Sequence, residues 1–129
     1  MRLDNKKKYE ESVKALDSIK KYREQNPKWY YYYGLNMARL QRNDEAIENF
    51  NEFIKRSDIT TTARAQYFVG LMHFYNSDYE KALINFQLSQ DVSTDASLDK
   101  LSDIQIEKSI KFRDYYENHK KTNLMLFLG

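Results

Sequence analysis

A chain of 129 residues with 41% apolar residues is long enough for one domain with its own core, and too apolar for a disordered tail. It has no cysteine and a net charge of +2, which excludes a disulfide framework and a thiolate metal site and leaves no strong field to recruit nucleic acid. The basic start, Met1 to Lys8, runs into Tyr9-Glu10-Glu11 where a signal peptide needs an apolar run, and no segment approaches the roughly 18 apolar residues of a membrane span. These features point to a reducing compartment, the cytoplasm, or to an extracytoplasmic setting if the chain is a piece of a membrane protein.

One proline and three glycines favour long helices with short connections over hairpins. Residues 3–24 read as a first helix, with Tyr9, Val13, Leu16, Ile19 and Tyr22 recurring at threes and fours. Asn26-Pro27 closes it and opens a second helix over 27–41, since proline suits a first helical turn. Asn43 or Asp44 is the expected N-cap of a third, over 44–56, with Ile47, Phe50, Phe53 and Ile54 inward. Ser57-Asp58 and the threonines at 60–62 precede a fourth over 62–75, and Asn76-Ser77-Asp78 separates it from a fifth over 79–91. Ser93, Thr94 and Asp95 supply the next stop and cap. A sixth helix is expected over 95–119, with Leu98, Leu101, Ile104, Ile110 and Phe112 inward, followed by an apolar tail over 120–129. Six antiparallel helices in sequential contact give an all-α chain of one domain.

The chain repeats itself. Tyr31, Gly34, Leu35, Ala46, Asn49 and Phe50 return thirty-six residues later as Tyr67, Gly70, Leu71, Ala82, Asn85 and Phe86. In both copies twelve residues separate Gly from Ala and four separate Ala from Phe, a spacing that lets two helix backbones approach while the ring fills the space beside them. The first copy carries Tyr30, Tyr33-Gly34, Met37, Ala46 and Phe50. The second carries Gln66, Val69-Gly70, His73, Ala82 and Phe86, with the stretch Asp78-Tyr79-Glu80-Lys81-Ala82-Leu83. This pattern resembles the tetratricopeptide repeat family, whose unit is a helix–turn–helix. The resemblance covers roughly residues 9–92 and divides the chain into a leading half repeat (1–26), two repeats (27–60 and 61–94) and a C-terminal capping helix (95–119). It departs from the family where the closing proline is missing, near Asp58 and Thr94, and where Phe53 replaces a usually small residue.

The resemblance implies a right-handed solenoid that binds a peptide along its first helices. Tyr31 lies on a stripe with Lys28, Leu35 and Arg39, and the second copy repeats it as Arg64, Tyr67, Leu71, Phe74 and Tyr75. These nine residues are the candidate peptide-binding surface; packing between neighbouring helices and self-association are the competing readings. The positions that correspond to the family's carboxylate-holding lysines and asparagines hold Tyr31 and Leu35 instead. His73 reads as a packing histidine and His119 as a helix-end residue, and the two form no metal signature with any cysteine. No phosphate loop, nucleophile elbow or paired-carboxylate motif is present. The expectation is a non-catalytic module without cofactor that binds a protein or peptide, no nucleic acid, and spans no membrane. The alternative is the sensor or regulatory part of a larger, membrane-anchored signalling protein. A homodimer through the groove or the tail stays open, and the tail is expected to bury residues 124–128 against an open end of the array or a second copy.

Overall fold

The computed structural model describes residues 2–128; Met1 and Gly129, the first and last residues of the expected leading half repeat and tail, lie outside the described residues. Six α-helices follow one another: α1 (Leu3–Ser18), α2 (Lys28–Arg39), α3 (Asn43–Arg56), α4 (Ala63–Tyr75), α5 (Tyr79–Val92) and α6 (Ala96–Leu128). Short 3-10 turns at Lys20–Tyr22 and Ile59–Thr61 lead into α2 and α4. The helices pack as sequential antiparallel neighbours.

The two central pairs, α2 with α3 and α4 with α5, repeat the same local geometry. Gly34 meets the fully buried ring of Phe50, and Gly70 meets that of Phe86; a Cβ added to either glycine would lie 2.9 Å or 2.6 Å from the ring. Ala46 and Ala82, both fully buried, complete the two crossings. The turns also match. Gln41 and Ser77, thirty-six residues apart, take positive φ of 61° and 63°. Arg42 N–H donates to Met37 O and Asp78 N–H to His73 O, each at 2.8 Å, while Gln41 N–H and Ser77 N–H donate to Ala38 O and Phe74 O. Each is a helix C-terminus closed by a left-handed residue, the place glycine usually takes. Because an L residue is strained there, Ser77→Gly is expected to stabilise the fold by about 1 kcal/mol, read as a raised denaturant midpoint. A lowered midpoint would mean that the Ser77 side chain does more than occupy the turn.

Several local expectations change. The first helix stops at Ser18, and the 3-10 turn that follows rotates Ile19 and Tyr22 out to solvent, leaving Val13 and Leu16 as the α1 contacts to the core. Trp29 Nε1–H reaches the Leu16 carbonyl at 2.7 Å, which also accepts Ile19 N–H, and ties α1 to α2. Neither Asn43 nor Asp44 caps α3, which begins at Asn43 behind Arg42 with no side-chain cap. Their side chains instead bond Asn76 across to the end of α4, at 3.1 Å and 3.0 Å. Asp95 does cap α6, accepting from Ser97 and Leu98 N–H.

The largest correction concerns α6. It runs through to Leu128, so the separate capping helix and tail are one 33-residue helix, and His119 lies inside it with its ring stacked on Tyr115 at 5.2 Å. Its inward residues are Leu98, Ser102 and Ser109, with Ile106 partly buried. Leu101, Ile104, Ile110 and Phe112, expected inward, are exposed. Buried serines seven residues apart bring α6 close to α5, and Ser109 satisfies its own hydroxyl on Gln105 O at 2.7 Å. The expected burial of residues 124–128 within the chain is overturned: all five are exposed.

Candidate functional site

Four of the nine candidate residues, Lys28, Tyr31, Arg64 and Tyr67, line two hollows that share Arg64. The larger is an open cleft of ≈ 770 Å³ between the start of α2, the end of α3 and the start of α4, lined by Asn26, Pro27, Lys28, Tyr31, Tyr32, Phe53, Ser57, Asp58, Thr61 and Arg64. The smaller, ≈ 260 Å³, is lined by Arg64, Tyr67, Phe68, Asp95, Ser97, Leu98 and Leu101 and lies against α6.

Local sequence places each wall of the cleft. Pro27 stands at the N-cap position of α2, so Lys28 and Tyr31, three residues apart, share one side of its first turn. Phe53 lies in the last turns of α3, and its ring meets Tyr31 at 5.2 Å. Tyr31 is half-buried, leaning on Phe50 at 5.8 Å and Phe68 at 6.3 Å. Burial pushes its phenol above the ordinary tyrosine range, while the nearby Arg64 guanidinium opposes the shift. Tyr32, next along the helix, is 53% exposed with its ring edge-on to Tyr31 at 5.7 Å. The floor is therefore aromatic and one rim is open.

Charge is distributed unevenly around this floor. Lys28, at the start of α2, and Arg64, at the start of α4, are both exposed and line the cleft. Asp58 is the one carboxylate in the cleft, and it is engaged by Thr60, whose N–H and hydroxyl donate to Oδ1 at 2.9 Å and 2.8 Å and hold the carboxyl below its usual range. Arg64 faces Asp95 at 3.9 Å, with the Arg64 side chain 70% exposed. An exposed pair at that distance contributes little, so Arg64 is free to turn to another acidic group.

The remaining candidates do not form one continuous exposed groove. Tyr67 is 7% exposed, buried with Ala82, Phe86 and Leu98, because α6 covers it. Burial raises its phenol above the ordinary range. Leu35 and Leu71 are partly buried and packed on the core. Arg39 is drawn to α1, its guanidinium 5.4 Å from the Tyr9 ring. Phe74 is partly buried in a ring cluster with Tyr79 at 5.4 Å and Phe112 at 5.7 Å, and Tyr75 is exposed beside it. The structure thus brings Lys28, Tyr31 and Arg64 together and sets Tyr67 next to Arg64, while Arg39, Phe74 and Tyr75 lie outside both hollows. His73 is partly buried, and burial holds its imidazole below the ordinary value.

Three contributors escaped the sequence reading. Tyr32 and Phe68 have no place on the repeated stripe, and Phe53 is expected only as an inward residue of the third helix. Phe68 has its ring stacked on Phe50 at 5.5 Å and edge-on to Tyr67 at 5.9 Å. The signal was present in the aromatic run Tyr30 to Tyr33 and in the Tyr67-Phe68 pair, but one helical stripe cannot show which ring reaches across to the next unit.

On the opposite side of α2, a polar cluster holds the start of the pair together. Tyr30 OH donates to Glu24 Oε1 at 2.7 Å, Arg56 Nε donates to Glu24 Oε2 at 3.1 Å, and the Arg56 guanidinium lies 4.7 Å from the Tyr30 ring. Arg56 also pairs with Glu52. The Tyr30 bond, then the Arg56 bond, lower the Glu24 carboxyl. These groups are bound to one another and read as structural.

Among the described residues no group of three or more His, Asp or Glu side chains is disposed to hold a metal ion, and no helix is long and apolar enough to cross a membrane. The fold and site together define an all-α chain of six helices with an open aromatic cleft flanked by cations. Neither the protein-family models nor the curated proteins give a match to it.

Proposed function

We propose that this chain is a tetratricopeptide-type helical array that works as a non-catalytic protein-interaction module. Two things support the array: the thirty-six-residue recurrence in sequence, and the matching crossings at Gly34–Phe50 and Gly70–Phe86 with matching turns at Gln41 and Ser77. A stack of such units gives the right-handed solenoid that the resemblance implies. The observation that carries the function is the cleft around Tyr31 and Tyr32, an aromatic floor between Lys28 and Arg64. Its volume falls in the roughly 300–1,000 Å³ range of ligand-binding hollows, and its openness along the start of α2 suits a side chain delivered by a peptide better than an enclosed small molecule.

The ligand is a peptide or helix that places an apolar or aromatic anchor over Tyr31 and Tyr32 and an acidic residue beside Lys28 or Arg64. The floor is rigid because its rings lean on the core, so little ordering cost falls on this chain when the partner docks. Tyr67 belongs to the wall that supports Arg64 and not to the contact surface. No cofactor and no reaction are part of this reading.

The test is selection of peptides from a displayed library with the intact chain, followed by affinity measurements on variants. Peptides pairing an apolar anchor with an acidic residue are expected. Tyr32→Ala removes an exposed ring without opening the core and is expected to weaken binding by about 1–3 kcal/mol. Arg64→Ala is expected to slow association and flatten its salt dependence more than it speeds release. Selected peptides that bind Tyr32→Ala and Arg64→Ala with full affinity would move the binding surface away from this cleft.

A further inference from the structure

We propose that the hollow on the α6 side of Arg64 is a second subsite for the same ligand: it takes a compact apolar side chain of the docked peptide, and the peptide's acidic residue lies between its two anchors, at Arg64. The inference rests on the cleft around Tyr31 and Tyr32 being the peptide site. Arg64 lines both hollows, so a chain that leaves the cleft across the start of α4 meets the second hollow next. The backing there is apolar and fixed. Tyr67 and Leu98, each 7% exposed, stand behind it, and Phe68 is held edge-on to Tyr67 at 5.9 Å. Leu101 of α6 lines the same hollow and is 48% exposed, so it keeps apolar surface that nothing in the fold covers.

Size and charge select what enters. The second hollow, ≈ 260 Å³ against ≈ 770 Å³ for the cleft, falls below the roughly 300–1,000 Å³ of sites that hold a whole ligand, and suits one side chain. Among the described residues that line it, Asp95 is the one carboxylate and Arg64 the one cation. Asp95 is fixed in place as the cap of α6. An acidic side chain inside the hollow would face Asp95, whereas one at the junction reaches Arg64, which is 70% exposed and loosely paired at 3.9 Å. Spacing follows from the helix between the two hollows. The cleft lies on the α2 and α3 side of α4 and the second hollow on its α6 side, and a helix with its side chains is about 10–12 Å across. In an extended peptide residues i, i+2 and i+4 share one face, and four steps of about 3.3 Å span roughly 13 Å. The ligand pattern is therefore a large apolar or aromatic residue, an acidic residue two positions away, and a compact apolar residue two positions beyond that.

The experiment selects peptides from a displayed library with the intact chain, then measures the affinity of one selected peptide and of its alanine-scanned forms. Two apolar positions four residues apart, with Asp or Glu midway, are expected. Replacing the compact anchor by alanine is expected to weaken binding to the wild type about tenfold, and binding to Leu101→Ala by less than about twofold, because the surface that anchor packs on is already gone. Leu101 is half-exposed, so its truncation opens no core, and unchanged melting of Leu101→Ala checks this. The inference alone fails if the selected peptides lose affinity for Tyr32→Ala yet carry no second anchor, if their anchors stand seven apart as on a helix, or if loss of the compact anchor weakens binding equally to the wild type and to Leu101→Ala. Selected peptides indifferent to Tyr32→Ala would overturn the reading of the cleft, and this inference with it.

Discussion

Phe50→Ala is expected to lower the unfolding free energy by about 3–5 kcal/mol. Phe50 is fully buried, its ring fits against Gly34, and it meets Phe68 at 5.5 Å and Tyr31 at 5.8 Å. The hole left by the ring cannot close easily. One wall is a glycine with no side chain to move in, and the others are flat rings held by contacts of their own. A partly buried aliphatic in the same helix, Ile47 or Ile54, gives the comparison: its change to Val is expected to cost about 0.5–1.5 kcal/mol. Urea melts check both, with a shifted midpoint at unchanged slope. A Phe50→Ala loss no larger than the Ile47→Val loss would remove Phe50 from the centre of the crossing.

The opposite error, too much volume, is tested at Gly70. Gly70→Leu is expected to cost about 1–3 kcal/mol or more by overpacking. Even a methyl group meets resistance, because its carbon would lie 2.6 Å from Cε1 and 2.7 Å from Cδ1 of the fully buried Phe86. Gly70→Ala therefore sets a helix-propensity gain of about 1 kcal/mol against a clash with a ring that has nowhere to go. The wider approach at Gly34, 2.9 Å, makes Gly34→Ala the milder change. Combining Gly70→Ala with Phe86→Leu should cost less than the two separate losses summed, since the smaller side chain relieves the clash. Strict additivity in thermal or urea melts would show that Gly70 and Phe86 do not share the crossing assigned to them.

Which parts of this molecule were legible in its sequence follows from the kind of physics that sets each part. The helices and central crossings were legible because periodic apolar residues and the Gly–Ala–Phe spacing are local properties that two copies state twice. The caps were less so: Asn43 and Asp44 look like helix-starting residues, yet a partner at Asn76, thirty-three residues from Asn43, claims their side chains. On α6 the apolar stripe misled. Leu101, Ile104 and Phe112 are the hydrophobic choice for an inward face, but Ser102 and Ser109 take it because small residues permit closer helix approach. That rotation also decided the site, for it brought α6 over Tyr67 and removed a tyrosine from the surface on which the repeated stripe had placed it. Lys28, Tyr31 and Arg64 stayed together because their proximity depends only on the start of α2 and the start of α4.

Phe68 and Leu71 lean on both of the buried clusters, the one around Phe50 and the one around Phe86. The Phe50 cluster also takes in Ala65, Val69 and Met72 of α4, so the first pair is completed by the second and the two do not pack apart. The shared residues form a common wall, and opening either half strips contacts from the other. In the language of a one-dimensional chain of coupled units, Ala65, Val69 and Met72, with Phe68 and Leu71, carry the nearest-neighbour term, the quantity that makes two short folding units respond to heat or denaturant as one. Cooperativity here resides in a few side chains at a boundary, and the boundary lies beside the cleft, where a bound partner leaning on Tyr31 would tighten it further.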